Sequence, residues 1–152
     1  MKILDVLPRE TIIADLKSND KLGVLNEMVV PMSAIIGISE NKLVQILLDR
    51  ERLGSTGIGG GIGIPHGKCK DLDSTIVGFG LSRNGVNFES LDGKLTRIFF
   101  LLLTSENSTG LHLKLLAQIS GLLKKDTFKD RLLTAMNQDE IIDIIKSEDE
   151  EF

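Results

Sequence analysis

Residues 50–68 read Arg50-Glu51-Arg52-Leu53-Gly54-Ser55-Thr56-Gly57-Ile58-Gly59-Gly60-Gly61-Ile62-Gly63-Ile64-Pro65-His66-Gly67-Lys68. From Gly54 to Lys68, seven of fifteen positions are glycine. Glycine admits positive φ and leaves its amide N–H uncovered. Successive free amides form a concavity suited to an anion. The plainer alternative is a flexible loop between a helix and a strand. Two nucleotide motifs fail here. A P-loop has four residues between its first glycine and the Gly-Lys pair, then Ser or Thr. In this chain three residues separate Gly63 from Gly67-Lys68, and Cys69 follows. A G-x-G-x-x-G register from Gly57 ends on Ile62, from Gly59 on Ile64, and from Gly61 on His66.

What remains is a histidine behind Ile64-Pro65. Proline stiffens the approach, and Gly67 adds no bulk beside the ring. A neutral imidazole is a competent nucleophile near neutral pH, and a phosphoryl group on its nitrogen is labile enough for relay. The competing reading of a lone histidine is a structural or merely exposed side chain. His112, the other histidine, follows Ser108-Thr109-Gly110 near the start of an expected helix. Such a terminus favours anions, and a second imidazole there supplies a hydrogen-bond donor. It is equally well an ordinary polar residue of a first turn. Arg50 and Arg52 close the preceding helix, where guanidinium matches phosphate oxygens or simply complements the helix dipole. One cysteine and two histidines without ligand-pair spacing argue against a metal site, and Ser55 and Thr56 lack a G-x-S-x-G elbow.

Outward from this segment, strand and helix signals alternate. Thr11–Ala14 reads as a short strand, and 21–30 as a helix stopped by Pro31. Ser39 caps a helix with Leu43, Ile46, Leu47 and Leu53 on one face, ending near Gly54. Ser74–Leu81 reads as a strand, Asn84-Gly85 and Asp92-Gly93 as turns. The apolar run after Arg97, to Leu103, has the pattern of a strand covered on both faces. Leu111, Leu115, Ile119 and Leu122 form a helical stripe, with Phe128, Leu132 and Leu133 beyond it. Asn137 with Glu140 resembles a helix start before Ile141, Ile142, Ile144 and Ile145. Residues 148–152 read as a frayed acidic tail. These signals predict a single α/β domain over 1–152, a small mixed sheet flanked by helices.

Composition agrees. The 152 residues are 41% hydrophobic and 26% charged, ordinary for a globular protein. Trp and Tyr are absent, so Ile, Leu and Val must build the core. A net charge of −4 gives no support for a nucleic-acid or anionic-membrane partner. The single Cys69 suits a reducing compartment. The opening residues lack a leader-like apolar stretch, and no window is long enough for a membrane span. The expectation is a cytoplasmic protein without membrane insertion.

The run Arg50–Gly59 followed by Gly61–Lys68 resembles the fructose/mannitol-type enzyme IIA of the bacterial phosphotransferase system (PTS), and within it the nitrogen-regulatory branch. The likeness extends more weakly to Leu111-His112-Leu113. The resemblance implies that His66 accepts a phosphoryl group from a small histidine phosphocarrier protein. It also implies that His112 and Arg50 share the site, and that no cofactor or metal is needed. Ser55, Thr56, Gly57, Gly59, Gly60, Gly61 and Gly67 are expected to form the phosphoryl-binding loop. The acceptor is expected to be a regulatory target, or an enzyme IIB in a sugar transporter. A non-catalytic anion-binding module is the alternative outside the family. Members often carry a polar residue at position 60 and alanine at 63. Glycine at both predicts a more mobile loop and a weaker partner contact.

Overall fold

The structure, a computed structural model, describes all 152 residues. The element order is β1 (Ile12–Ile13), α1 (Lys21–Ile36), α2 (Glu40–Glu51), β2 (Gly57–Gly59), β3 (Ile62–Gly63) and β4 (His66–Cys69). Then come β5 (Ile76–Val86), β6 (Thr96–Ser105), α3 (Thr109–Leu123), α4 (Asp126–Thr134) and α5 (Gln138–Glu148). The sheet is mixed, in the order β1-β5-β6-β3-β2, with β4 also on β6. Strands β5 and β6 are antiparallel, with Phe79 opposite Phe100. Strands β3 and β4 lie end to end along β6, both parallel to it.

β6 explains the layering. Ile98, Phe100 and Leu102 join the core under α3, α4 and α5, and Phe99, Leu101 and Leu103 join the core under α1 and α2. A strand apolar at every position is therefore covered on both faces, as its sequence predicts. Edge-to-face phenylalanine pairs sit in each layer, Phe79–Phe100 and Phe88–Phe99, both at 5.1 Å between centroids. The caps follow the sequence: the Ser39 hydroxyl accepts from Lys42 N, and the Asn137 carboxamide from Glu140 N.

Five expectations change. Pro31 does not stop α1, which continues to Ile36 and ends at Gly37 with φ +72°. Val24, Leu25, Met28, Val29 and Met32 are buried on one continuous face, and that packing outweighs the roughly 3 kcal/mol cost of an internal proline. Asn84-Gly85 is not a hairpin turn but a bulge within β5. Gly85 has φ +85°, its N–H is held by the Ser82 hydroxyl, and the pairing with β6 slips between Leu81 and Val86. Leu53 lies past the end of α2 and is 84% exposed. The glycine-rich stretch is not a loop: it folds into β2, a tight turn and β3.

The tail is not frayed either. The Asp149 carboxylate accepts hydrogen bonds from Ile3 N at 2.8 Å and Leu4 N at 2.9 Å, satisfying the start of a 3₁₀ turn.

Candidate active site

β4 positions the site. Alternation along a strand sends His66 and Lys68 to one face and Gly67 and Cys69 to the other. Lys68 Nζ donates to Thr109 Oγ1 at 2.8 Å, at the start of α3. Cys69 is a fully buried free thiol in the core under α1 and α2. Gly67 faces α2, where a Cβ would stand 2.6 Å from Ile46 Cγ2. The missing side chain lets α2 approach β4 closely. Arg50, one helical turn after Ile46, is thereby brought to the rim of the His66 pocket.

The pocket holds about 620 Å³ and opens at the surface between α2, β4 and α3. Asp49, Arg50, His66, Gly67, Lys68 and His112 line it, beside apolar Ile46, Leu53, Leu113 and Leu116. The two imidazole rings stand 5.3 Å apart between centroids, tilted by 58°.

His66 is half-buried, and its Nδ1 lies 2.8 Å from the Ile64 carbonyl. A carbonyl can only accept, so Nδ1 carries the proton and Nε2 keeps its lone pair. The step across Pro65 supports this arrangement. Proline's fixed φ holds the Ile64 carbonyl under the ring, while the Pro65 carbonyl accepts from Leu102 N at 2.9 Å and ties the segment to β6. Burial pushes the His66 pKa below its ordinary 6.5. The Ile64 carbonyl opposes that shift and the Arg50 charge adds to it. His112 is buried, and its pKa falls to about 4, first through burial and then through the nearby His66 and Lys68 charges. Both imidazoles are thus neutral near pH 7, with one bare ring nitrogen available for attack.

Arg50 Nη1 donates to the Gly54 carbonyl at 2.9 Å, which steadies the guanidinium at the pocket wall. Its neighbour Arg52 does not line the pocket itself but pairs with Asp49, which does. Beneath them, Glu51 is buried. Its carboxylate accepts from Thr56 N at 3.1 Å and from the Thr56 hydroxyl, and pairs with Lys21 Nζ at 3.0 Å. Lys21 also lies over the Phe88 ring. This clamp fixes the turn that leaves α2 and joins it to the start of α1.

The structure thus brings together His66, His112, Arg50 and Gly67. It does not bring the rest of the expected loop to them: Ser55, Thr56, Gly57, Gly59, Gly60 and Gly61 lie outside the pocket wall. Their polar groups serve the fold. Ser55 Oγ accepts from Gly57 N and donates to the Phe88 carbonyl. Gly60 N donates to Asp92 Oδ2, and the Gly61 carbonyl accepts from Arg97 N and Ile98 N. Gly59, Gly60 and Gly61 all have positive φ, the conformation of the tight turn, and Gly60 and Gly61 border a different cleft beside Arg97 and Lys129. Glu51 and Lys68 stand outside the residues expected at the site, because the contacts that place them there form only in the fold. The i, i+2 spacing from His66 was the one available signal for Lys68. No group of three or more His, Cys, Asp and Glu side chains comes together to hold a metal ion.

The pocket combines a neutral, tautomer-fixed histidine with a second histidine and an arginine, the chemistry that group transfer to a ring nitrogen would use. The family model for the EIIA 2 component of the phosphoenolpyruvate-dependent sugar phosphotransferase system matches residues 5–148. The chain belongs to this family, whose members act as phosphoryl-transfer components of the PTS. It is 34% identical over 145 residues to a nitrogen regulatory protein of Bradyrhizobium diazoefficiens, covering 95% of each chain. It is 36% identical over 150 residues to the PTS system fructose-specific EIIABC component of Bacillus subtilis. That match covers 98% of this chain but 24% of that longer protein. The crystal structure of nitrogen regulatory protein IIA-Ntr from Neisseria meningitidis superposes with a TM-score of 0.88 at 30% identity, covering 93% of this chain and 97% of that one. No helix is long and apolar enough to cross a membrane.

Proposed function

We propose that His66 accepts a phosphoryl group through Nε2 from a histidine phosphocarrier protein, and that the chain acts as a nitrogen or metabolic regulator. The hydrogen bond from His66 Nδ1 to the Ile64 carbonyl carries this reading, because it leaves Nε2 as the ring's only nucleophilic atom. Transfer is an in-line displacement. The Nε2 lone pair forms the new N–P bond as the donor's P–N bond breaks, and that electron pair returns to the donor's ring. Arg50 and His112 stabilise charge on the equatorial oxygens. Ile46, Leu53, Leu113 and Leu116 supply the apolar part of a docking surface around the nucleophile. A cytoplasmic location goes with such a partner.

The regulatory reading draws support from the Bradyrhizobium relative, a protein of similar length matched end to end. A second reading, transfer onward to an enzyme IIB in a sugar transporter, draws support from the Bacillus subtilis relative, whose name joins A, B and C components.

The test is labelling with phosphoenolpyruvate, the first enzyme of the relay and the phosphocarrier. Wild type gains an acid-labile, base-stable phosphoryl group, and His66→Ala gains none. Equal labelling of the two proteins overturns the proposal. A chain that binds inorganic phosphate yet is never labelled is an anion-binding module instead. Offering the labelled protein to purified enzymes IIB then separates transport from regulation.

A further inference from the structure

We propose that Thr104 is a positioning residue that fixes the tautomer of His112, so that Nε2–H of that ring faces the phosphoryl group held on His66. The inference rests on reading His66 as the phosphoacceptor. Thr104 is fully buried in β6, opposite Lys68 of β4, and its hydroxyl lies 2.9 Å from His112 Nδ1. That nitrogen is the hydroxyl's one hydrogen-bond partner. A hydroxyl can donate one proton and accept others, whereas each nitrogen of a neutral imidazole does only one of the two. If Nδ1 held the ring proton, it would donate to Oγ1, and the buried hydroxyl hydrogen would have no acceptor. The satisfied arrangement is the reverse: Thr104 O–H donates to Nδ1, and the ring proton sits on Nε2.

The two histidines then carry complementary tautomers, each set by an oxygen at its Nδ1. The Ile64 carbonyl, which can only accept, bares Nε2 of His66. The Thr104 hydroxyl, acting as donor, loads Nε2 of His112 with a proton. One ring is thereby a nucleophile and the other a donor, and they line the same pocket with centroids 5.3 Å apart. A hydrogen bond to a transferring phosphoryl oxygen contributes most when the donor is already oriented before the reaction begins. With the wrong tautomer, His112 would aim a lone pair at a phosphoryl oxygen and repel it. Thr104 never touches the phosphoryl group. It acts through His112.

The experiment is ¹⁵N NMR of histidine-labelled protein, joined to the labelling assay. In wild type at neutral pH, His112 shows a protonated Nε2 and an unprotonated, pyridine-type Nδ1, while His66 shows the opposite pattern. Thr104→Val, close in shape but without a donor, gives His112 a mixed tautomer pattern and lowers the phosphorylation rate on the order of tenfold. The concentration of phosphocarrier needed for half-maximal rate stays the same. Thr104→Ser restores both the spectrum and the rate, which a purely steric role for the threonine methyl would not do. A wild-type spectrum with the proton on Nδ1 of His112 overturns the proposal without any variant. A Thr104→Val protein with wild-type tautomers and a wild-type rate overturns it as well. Labelling of His66→Ala would instead remove the phosphoacceptor reading, and the tautomer assignment would still be read independently from the spectrum.

Discussion

His66 and His112 share a pocket but answer to different surroundings, and titration separates them. Burial lowers both pKa values, that of His112 to about 4. A proton-linked NMR titration therefore finds His66 with its midpoint below 6.5 and His112 well below that; a His112 midpoint near 6.5 would contradict the buried site. The same shift bears on stability. Between about 4 and the unfolded value of about 6.5, the folded protein binds fewer protons at His112 than the unfolded chain, so stability rises with pH. The contribution is complete above the unfolded value and is lost as pH falls toward 4. Urea midpoints measured across that window decline for wild type as the buffer is acidified, and His112→Gln flattens the slope.

At the scale of elements, the spacing between α2 and β4 decides whether Arg50 reaches the pocket. Gly67→Ala would set a methyl 2.6 Å from Ile46 Cγ2. Overpacking of this kind costs about 1–3 kcal/mol. The helix is pushed outward, and the phosphorylation rate falls together with stability. Adding Ile46→Ala removes the opposing methyl and recovers part of both, as read by urea unfolding and by labelling. A Gly67→Ala protein with unchanged rate and stability would show that the close approach has no role.

Much of this level was legible beforehand. Caps at Ser39 and Asn137, the unbroken apolar run of β6 and the stripe of α3 are local patterns whose physics does not depend on distant residues. What was not legible depends on partners far away in sequence. Pro31 looks like a stop until the buried face of α1 is seen to run through it. Gly54–Gly63 looks like an anion-holding loop until its amides are seen to be spent on Asp92, on Ser55 and on β6. The glycine at 63 has the same kind of explanation. A Cβ there would lie 3.1 Å from two ring atoms of Phe99, so the small residue accompanies a large one on the neighbouring strand. Of the residues lining the pocket, His66, His112, Arg50 and Gly67 were named from the sequence. Glu51 and Thr104 stayed invisible because their contacts with Lys21 and His112 form only in the fold, and Lys68 offered only its spacing from His66.

Across the whole molecule, the two ends of the described chain are joined. Asp149 receives the N–H groups of Ile3 and Leu4, and both Ile3 and Asp149 are buried. Asp149→Ala leaves two donors without their acceptor, at a cost of about 1–3 kcal/mol. The loss is measured as a lower urea midpoint, with His66 labelling under native conditions unchanged. A wild-type midpoint would mean that solvent replaces the carboxylate without loss.

The larger consequence lies in the division of the interior by the sheet. Arg50 comes from the layer packed on one face and His112 from the layer packed on the other, while His66 stands on the strand between them. The groups proposed to act in transfer therefore straddle a seam, and neither layer holds a complete set. A shift of α2 or α3 relative to β4 would change their mutual aim even with the rest of the chain in place. The pocket is thus a gauge of how the two layers are seated on the strand between them.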